Sequence, residues 1–287
     1  MTKRRIYFLN CLKDVLNGMN RITVYDRIEA AYGFSIVSPL YHLILARRNI
    51  RFTVDKVPYS LDGPGCIFLS PYQQFLTLNI SDISVLGFHG DFYCIEYHKK
   101  EVACNGILFN NIYMPPYIVL DLPQYQEIDT IFQKINVLQN RFESYEEALI
   151  KAYLQVILAL SSKEKQKAIH IETQDIISPY LNFREIIEEF YIQERTLGFY
   201  ADYYGTSTQQ LSKKIKALFG KPPSVLIRER LILEAKKLLH LTYKNINEVA
   251  YELGFEDEFY FSRYFKKEVG ISPKKYRKDV GISIVAK

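Results

Sequence analysis

The sequence predicts an α+β multidomain chain: an all-β N-terminal barrel, a helical hairpin, and an all-α C-terminal block. Short runs rich in Tyr, Phe, Ile, Val and Thr, separated by turn residues, extend from about Arg27 to Asp121, and apolar residues then switch to steps of three and four. Near the C-terminus a helical segment repeats itself at an offset of 49 to 50 residues. At 287 residues, 48% hydrophobic and 24% charged, the chain is long enough for two domains of about 150 residues each. That composition excludes collagenous, low-complexity and wholly disordered chains.

The β region is legible from about Arg27 to Asp121. Its candidate strands include Ile50–Val54, Cys66–Leu69, Phe75–Ile80 and Phe92–Tyr97. Turns are marked by Asp62-Gly63-Pro64-Gly65, Ser70-Pro71 and Met114-Pro115-Pro116, which supply positive φ or fix it near that of a turn. Many short strands at this spacing make a barrel or sandwich. After Pro123, residues Ile128, Ile131, Ile135, Leu138 and Phe142 share one helical face. Ser144 with Glu147 has the form of a capping box and opens a second helix through Ala148, Ala152, Val156 and Leu160. The stripe of this hairpin either packs on the β domain or is shared with a second copy of the chain, which makes a homodimer the expected assembly. Ser161–Lys167 is polar and charged and reads as a linker. The domains expected are therefore 1–122, 123–175 and 176–280.

Several function classes are disfavoured. The longest apolar stretch, Ala148–Leu160, is interrupted by Lys151, Tyr153 and Gln155 and falls short of the roughly 20 residues that cross a bilayer, so no membrane partner is expected. Met1–Leu12 lacks a small-residue cleavage site, and Cys11, Cys66, Cys94 and Cys104 form no C-x-x-C pair, so a cytoplasmic chain with free thiols is expected. None of G-x-S-x-G, G-x-x-x-x-G-K or H-E-x-x-H occurs. The chain is expected not to be an enzyme, with no catalytic residues, no cofactor and no metal site. An RNA-stacking sheet is disfavoured because the aromatics and the basic excess lie in different halves.

Charge is distributed unevenly. Residues 205–278 hold 16 Lys and Arg against 8 Asp and Glu, so that segment carries the whole positive excess of a chain whose net charge is +5. A basic module of this kind suits a polyanion. Within it, Ala201-x3-Gly205 recurs as Ala250-x3-Gly254 at an offset of 49, whereas Leu211-Ser212-Lys213 and Gly220 recur as Phe261-Ser262-Arg263 and Gly270 at an offset of 50. One extra residue is thus expected in the second turn. A small residue, a glycine four positions on and then a capped helix is the form of a helix-turn-helix. At about 100° per residue, Leu211, Ile215, Leu218 and Phe219 line one side of the first second-position helix, and Gln209, Ser212, Lys213 and Lys216 line the other. The repeat divides in the same way, with Phe261, Phe265 and Val269 inside and Phe259, Ser262, Arg263 and Lys266 outside. Ser207 and Asp257 are expected to cap the two helices, and Thr196 and Asn245 the helix before each. Ile227, Leu231, Ala235, Leu238 and Leu239 define a long helix between the units.

In Arg230-Leu231, Ala235-Lys236-x-Leu238-Leu239, Ile246-x2-Val249-Ala250-x2-Leu253-Gly254-Phe255, Tyr260-Phe261-Ser262-Arg263-x-Phe265-Lys266-Lys267 and Gly270-x-Ser272-Pro273-x2-Tyr276-Arg277, the sequence resembles the AraC/XylS family of bacterial transcription regulators over about Ile176–Lys278. The resemblance implies a double helix-turn-helix domain that enters successive major grooves of double-stranded DNA. It carries the reading positions onto Ser207, Gln209, Ser212, Lys213 and Lys216 in the first unit and Phe259, Ser262, Arg263, Lys266 and Lys267 in the second. An activator acting with RNA polymerase and controlled by a small-molecule effector is the implied role. The N-terminal half is similar to the cupin-type sensor domains of such regulators. A metal-dependent cupin enzyme is the rival class, but Gln73 and Gln74 follow the Gly-Pro turn where its ligands would be, and the five histidines, His42, His89, His98, His170 and His240, include no H-x-H. Phe259 can offer a base only apolar contact, and Glu256 and Glu258 would repel phosphate beside a capping Asp257.

Overall fold

The computed structural model describes residues 7–9, 22–28, 33–78, 82–93, 106–139, 144–173 and 178–282. Phe142, His98, Cys11, Cys94 and Cys104 lie outside them. The chain divides into two compact units, one of residues 1–110 and 116–170, the other of residues 111–115 and 171–287.

The first unit holds ten described strands in two five-stranded sheets. They are β1 Tyr7–Leu9, β2 Ile22–Ile28, β3 Phe34–Ile36, β4 Tyr41–Ala46, β5 Ile50–Val54, β6 Val57–Leu61, β7 Gly65–Leu69, β8 Phe75–Thr77, β9 Ile83–Phe88 and β10 Tyr117–Val119. One sheet runs β1-β3-β8-β5-β6 and the other β10-β7-β4-β9-β2. All pairs are antiparallel except β1 with β3. Strands β4 and β9 are buried at every position, which explains why they read as continuous apolar runs rather than alternating ones. Ile44, Ala46, Ile67, Val85 and Ile83 face the first sheet, where they meet Phe34, Phe52, Val54 and Phe75. Tyr41, Leu43, Leu45, Phe68, Leu86 and Phe88 face the opposite way. A central sheet with two apolar faces must be covered on both.

The second cover is the helical hairpin. Helix α1, Leu122–Leu138, starts at Asp121 in a full capping box with Gln124 and has Pro123 in its first turn. Its Ile128, Ile131, Phe132 and Ile135 join Ile150, Leu154, Ile157 and Leu158 of α2, Ser144–Thr173, in one core with the sheet. The expected linker at Ser161–Lys167 is corrected by the structure, for α2 continues through it to Thr173. Ser161 and Lys165 are buried one and two turns beyond Ile157, and the Lys165 ammonium donates to the Tyr117 carbonyl at 3.0 Å. With no Gly or Pro in the segment, this buried anchor and the Glu164–Lys167 pair at 2.7 Å extend the helix.

Gln73 and Gln74 have a structural task. The β5–β6 hairpin turns on Asp55 and Lys56, both with positive φ, the backbone that matches the strand twist. The Asp55 carboxylate accepts from the Gln74 amide at 2.9 Å and from the Gln73 side chain at 3.2 Å, fixing the turn. Among the described residues no group of three His, Cys, Asp or Glu is placed to hold a metal, and no helix is long and apolar enough to cross a membrane.

The second unit consists, among the described residues, of seven helices: α3 Phe183–Phe190, α4 Leu197–Tyr203, α5 Thr208–Phe219, α6 Pro223–Leu241, α7 Ile246–Glu252, α8 Glu258–Val269 and α9 Pro273–Val280. Its centre is α6, which buries Leu226, Ile227, Leu231, Ala235, Leu238 and Leu239. Segment Asn111–Pro115 is built into this unit. The Tyr113 hydroxyl donates to Glu188 at 2.9 Å, and the Lys221 ammonium donates to the Ile112 carbonyl at 3.2 Å.

His42 generates a prediction about acid stability. It is fully buried in the central sheet, its ring 3.2 Å from the Ser38 hydroxyl, and burial pulls its pKa from 6.5 down to about 4 against a smaller opposing effect of the Leu40 backbone. Between those values the unfolded chain takes up a proton that the folded one refuses, so stability is complete above about pH 6.5 and falls as pH drops toward about 4. The slope from this group is at most about 1.4 kcal/mol per pH unit. Urea unfolding from pH 7 to 4.5 should show a shallower pH dependence for His42→Gln than for the wild type.

Candidate nucleic-acid interface

Each helix-turn-helix begins with a buried alanine, Ala201 in α4 and Ala250 in α7, whose small side chain lets the next helix approach. The turns have the same hydrogen bonds. Ala201 O accepts from the Thr206 amide at 3.0 Å and Asp202 O from the Gly205 amide at 3.0 Å. In the repeat, Ala250 O accepts from the Phe255 amide and Tyr251 O from the Gly254 amide, both at 2.9 Å. Gly205 and Gly254 have φ of 59° and 71°, a backbone that costs other L-residues about 1 to 2 kcal/mol. Thr206 is followed directly by the cap Ser207, whereas Phe255 is followed by Glu256 and then the cap Asp257. The extra residue expected in the second turn is thus Glu256, and it is exposed.

The caps then start the two outer helices. The Ser207 hydroxyl accepts from the Gln210 amide at 3.2 Å and the Asp257 carboxylate from the Tyr260 amide at 2.7 Å. Asp257 is therefore turned back onto its own helix, as expected. Asn245 makes a full capping box with Glu248 before α7. Thr196 stands at the corresponding position before α4 but makes no side-chain cap bond, a correction to the expectation. Both outer helices end at a left-handed glycine, Gly220 or Gly270.

The two outer faces match position by position. Leu211 and Ile215 are buried in α5, as are Phe261, Phe265 and Val269 in α8. Leu218 and Phe219 are half-buried. Ser207, Gln209, Lys213 and Lys216 are exposed and Ser212 is half-exposed; Phe259, Arg263, Lys266 and Lys267 are exposed and Ser262 is half-exposed. Phe259 is 76% exposed at the front of the α8 face. Among the described residues, Lys213, Lys216, Arg263, Lys266 and Lys267 make no ion pair, while Arg228, Arg230, Lys221, Lys237 and Lys244 are all paired with carboxylates. Lys214 on α5 and Lys274 and Lys278 on α9 are likewise exposed and outside the ion pairs of the described residues, so six such basic residues lie on α5 and α8.

Sequence reasoning missed the residues that hold these helices. Arg195, in the loop between α3 and α4, donates to the carbonyls of Leu253 and Gly254 and lies 4.2 Å from the centre of the Phe255 ring. Arg230 is resolved in the family-like motif, but its partners were not legible: it donates to Glu188 at 2.7 Å and Glu234 at 3.0 Å and stacks on Tyr191 at 4.1 Å. The sequence signal for Arg195 is no more than a basic residue just before a helix start.

The two turn glycines differ in their surroundings. A Cβ built at Gly205 meets nothing within 4 Å, whereas one at Gly254 meets Arg195 at 3.2 Å, Ile192 Cγ2 at 3.2 Å and Ile192 O at 3.3 Å. Gly205→Ala should therefore destabilise the fold by only the backbone cost, about 1 to 2 kcal/mol. Gly254→Ala adds an overpacking cost of about 1 to 3 kcal/mol. Urea midpoints of the two variants measure the difference, and equal losses contradict the crowding at Gly254.

Comparison with known proteins finds a helix-turn-helix domain over residues 200–279. The chain is 25% identical to the HTH-type transcriptional activator RhaS of Mannheimia succiniciproducens, over 62% of the chain and 63% of that protein, so it spans just under two thirds of this relative's length. It is 30% identical to an uncharacterised HTH-type transcriptional regulator from the cgkA 5′ region of Pseudoalteromonas carrageenovora, over 41% of the chain and 69% of that protein. Among solved structures, ToxT from Vibrio cholerae aligns with 91% of this chain and 98% of its own at 16% identity and a TM-score of 0.38. With the duplicated turn, caps and glycines in place, the chain belongs to the AraC/XylS family of helix-turn-helix transcription regulators.

Proposed function

We propose that this protein is a sequence-specific regulator of transcription, an activator, that inserts α5 and α8 into successive major grooves of duplex DNA. The observation that carries this reading is the pairing of two repeat-related outer faces, basic, exposed and free of carboxylate partners among the described residues. In it, Gln209, Ser212, Lys213 and Arg263 face base edges, Phe259 meets a thymine methyl group, and Ser207, Lys216, Ser262, Lys266 and Lys267 serve the backbone and the approach to it. The guanidinium of Arg263 can grip guanine O6 and N7 together, whereas the Lys213 ammonium acts as a point charge. RNA polymerase as partner, a small-molecule effector acting through the β unit, and a cytoplasmic location complete the reading.

Affinity for a selected duplex should fall with salt at a log-log slope of about 0.9 per phosphate neutralised. Arg263→Ala should cost about 1 to 3 kcal/mol and relax preference at one base pair, whereas Lys266→Ala should weaken all duplexes alike and lower the slope by about one. Footprints of Lys213→Ala and Arg263→Ala should place their affected bases about 10 base pairs apart. An Arg263→Ala protein with unchanged sequence preference overturns the assignment of α8. Reporter transcription from the bound site reads the direction of control: a rise supports an activator and a fall a repressor.

A homodimer through α2 is supported by a second apolar face on that helix. Tyr145, Leu149 and Val156 are exposed on the side away from Ile150, Leu154 and Ile157, with Ala148, Ala152 and Ala159 between them. Sedimentation should find a dimer that the double variant Leu149→Glu, Val156→Glu converts to monomers with unchanged far-UV circular dichroism. A wild-type monomer at micromolar concentration rules the interface out.

A further inference from the structure

We propose that Arg195 is a positioning residue that latches the second helix-turn-helix onto the first, so that α5 and α8 read DNA as one ruler of fixed length. The inference rests on the DNA-binding reading above and concerns what holds the two units in phase.

The second unit follows α6 through the non-helical residues 242–245 and packs on α6 through α7 and α9, where Arg277 donates to Leu239 O at 3.0 Å; those contacts tie it to α6 rather than to α4. Arg195 adds a tie from the other side, out of the loop before α4. It lies just before α4, at a sequence distance of 58 and 59 residues from its acceptors, Leu253 O and Gly254 O, the latter at 2.9 Å. Those carbonyls are at the C-terminal end of α7, where helical carbonyls lack partners and the helix dipole is negative, so a guanidinium is favoured there on both counts. The same group also donates to Ile192 O at 3.3 Å, which ties it to its own loop.

The latch reaches the reading helix through aromatic packing. Arg195 stacks on Phe255, and the Phe255 ring lies 5.7 Å from Tyr260, 5.2 Å from Phe261 and 5.5 Å from Tyr264, all on α8. Displacing the guanidinium therefore frees the turn and the start of α8 together. The internal repeat supplies a control. Lys244 occupies the position 49 residues after Arg195, yet it pairs with Glu252 of its own unit, and the Gly205 turn of the first unit is open where Gly254 is covered. The latch is a feature of one unit only, as a device joining two units must be. Other ties to α8 run to α6 and α9 and not to the loop before α4: the partly exposed Arg228–Glu268 pair at 2.9 Å and the Phe265 ring against Tyr276 at 5.6 Å.

The test uses the full-length protein, Arg195→Lys, and Arg195→Met, which keeps an apolar stem over Phe255 and loses the donors. Duplexes selected by the wild type from a randomised pool are remade with one base pair added or removed between the two contacted regions. One base pair turns the second groove by about 35°, so a rigid ruler should lose about tenfold or more in affinity. Arg195→Met should cut that spacing penalty to about threefold with base preference within each contacted region retained, and Arg195→Lys should fall between. A purely structural loss of stability lowers affinity for all spacings alike and leaves the penalty intact; that outcome overturns the latch. Amide exchange provides a reading independent of DNA. Arg195→Met should accelerate exchange at Gly254, Phe255 and the first turn of α8 while leaving Gly205 and Thr206 unchanged. Equal protection at both turns overturns the latch whether or not duplex is bound, whereas a wild type that selects no duplex while showing this asymmetry refutes the DNA-binding reading alone.

Discussion

Burial of one side of α6 is the constraint on which the helical unit depends. Leu226, Ile227, Leu231, Ala235, Leu238 and Leu239 give this helix an apolar surface that neither helix-turn-helix could cover alone. Arg230 is set into that same surface at 9% exposure, which is tolerable only because Glu188, Glu234 and the face of Tyr191 surround its guanidinium. Glu188 in turn takes the Tyr113 hydroxyl, so segment Asn111–Pro115 is held by the same charge. At its far end, α6 receives α9: Arg277 donates to Leu239 O at 3.0 Å and the His240 ring contacts Gly281 O at 2.9 Å. Elements from four places in the sequence are thus referred to one axis.

The two helix-turn-helix units have diverged around a common plan. Turn bonds, caps and terminal glycines are shared, and both outer faces keep a Ser followed by a basic residue. The differences follow from a single extra residue. Glu256 lengthens the second turn, places Asp257 as the cap and leaves Glu258 in the first turn of α8, where an acid is favoured by the helix dipole but disfavours phosphate. Arg263 and Lys266 keep the places of Lys213 and Lys216, while Tyr264 and Lys267 stand where α5 has Lys214 and Ala217. An apolar Phe259 at the front and cations behind give α8 a different chemistry from the polar front of α5.

In the β unit the central sheet is shared between two cores, one with the outer sheet and one with the α1–α2 hairpin. This explains the run of side chains alternating in direction but not in polarity along β4 and β9. It also explains why a buried lysine closes the hairpin. Lys165 extends along the apolar surface and delivers its ammonium to a strand carbonyl, continuing at the end of α2 the contact that Ile150, Leu154 and Ile157 begin.

Residue pattern alone determined the periodicity of the helical unit, the duplication and the outer faces of α5 and α8, because each is a local property, whereas Phe92 and Tyr93, expected to open a strand, lie in a turn. A repeat offset, a 3.6-residue period and a capping side chain are all read within a dozen residues, and the extra residue in the second turn was legible as a change of offset. Where the local signal was polar, it misled: Ser161–Lys167 has the composition of a linker, and only its packing against β10 makes it helix. Thr196 has the identity of a cap but not its bond. Tertiary structure alone decided the roles of Arg195, Arg230, Lys221 and Tyr113, since each acts on residues far away in the chain. Long-range acceptors such as the carbonyls of Leu253 and Gly254 exist only once a helix has ended in the right place, and no spacing in the sequence encodes which distant cation will reach them.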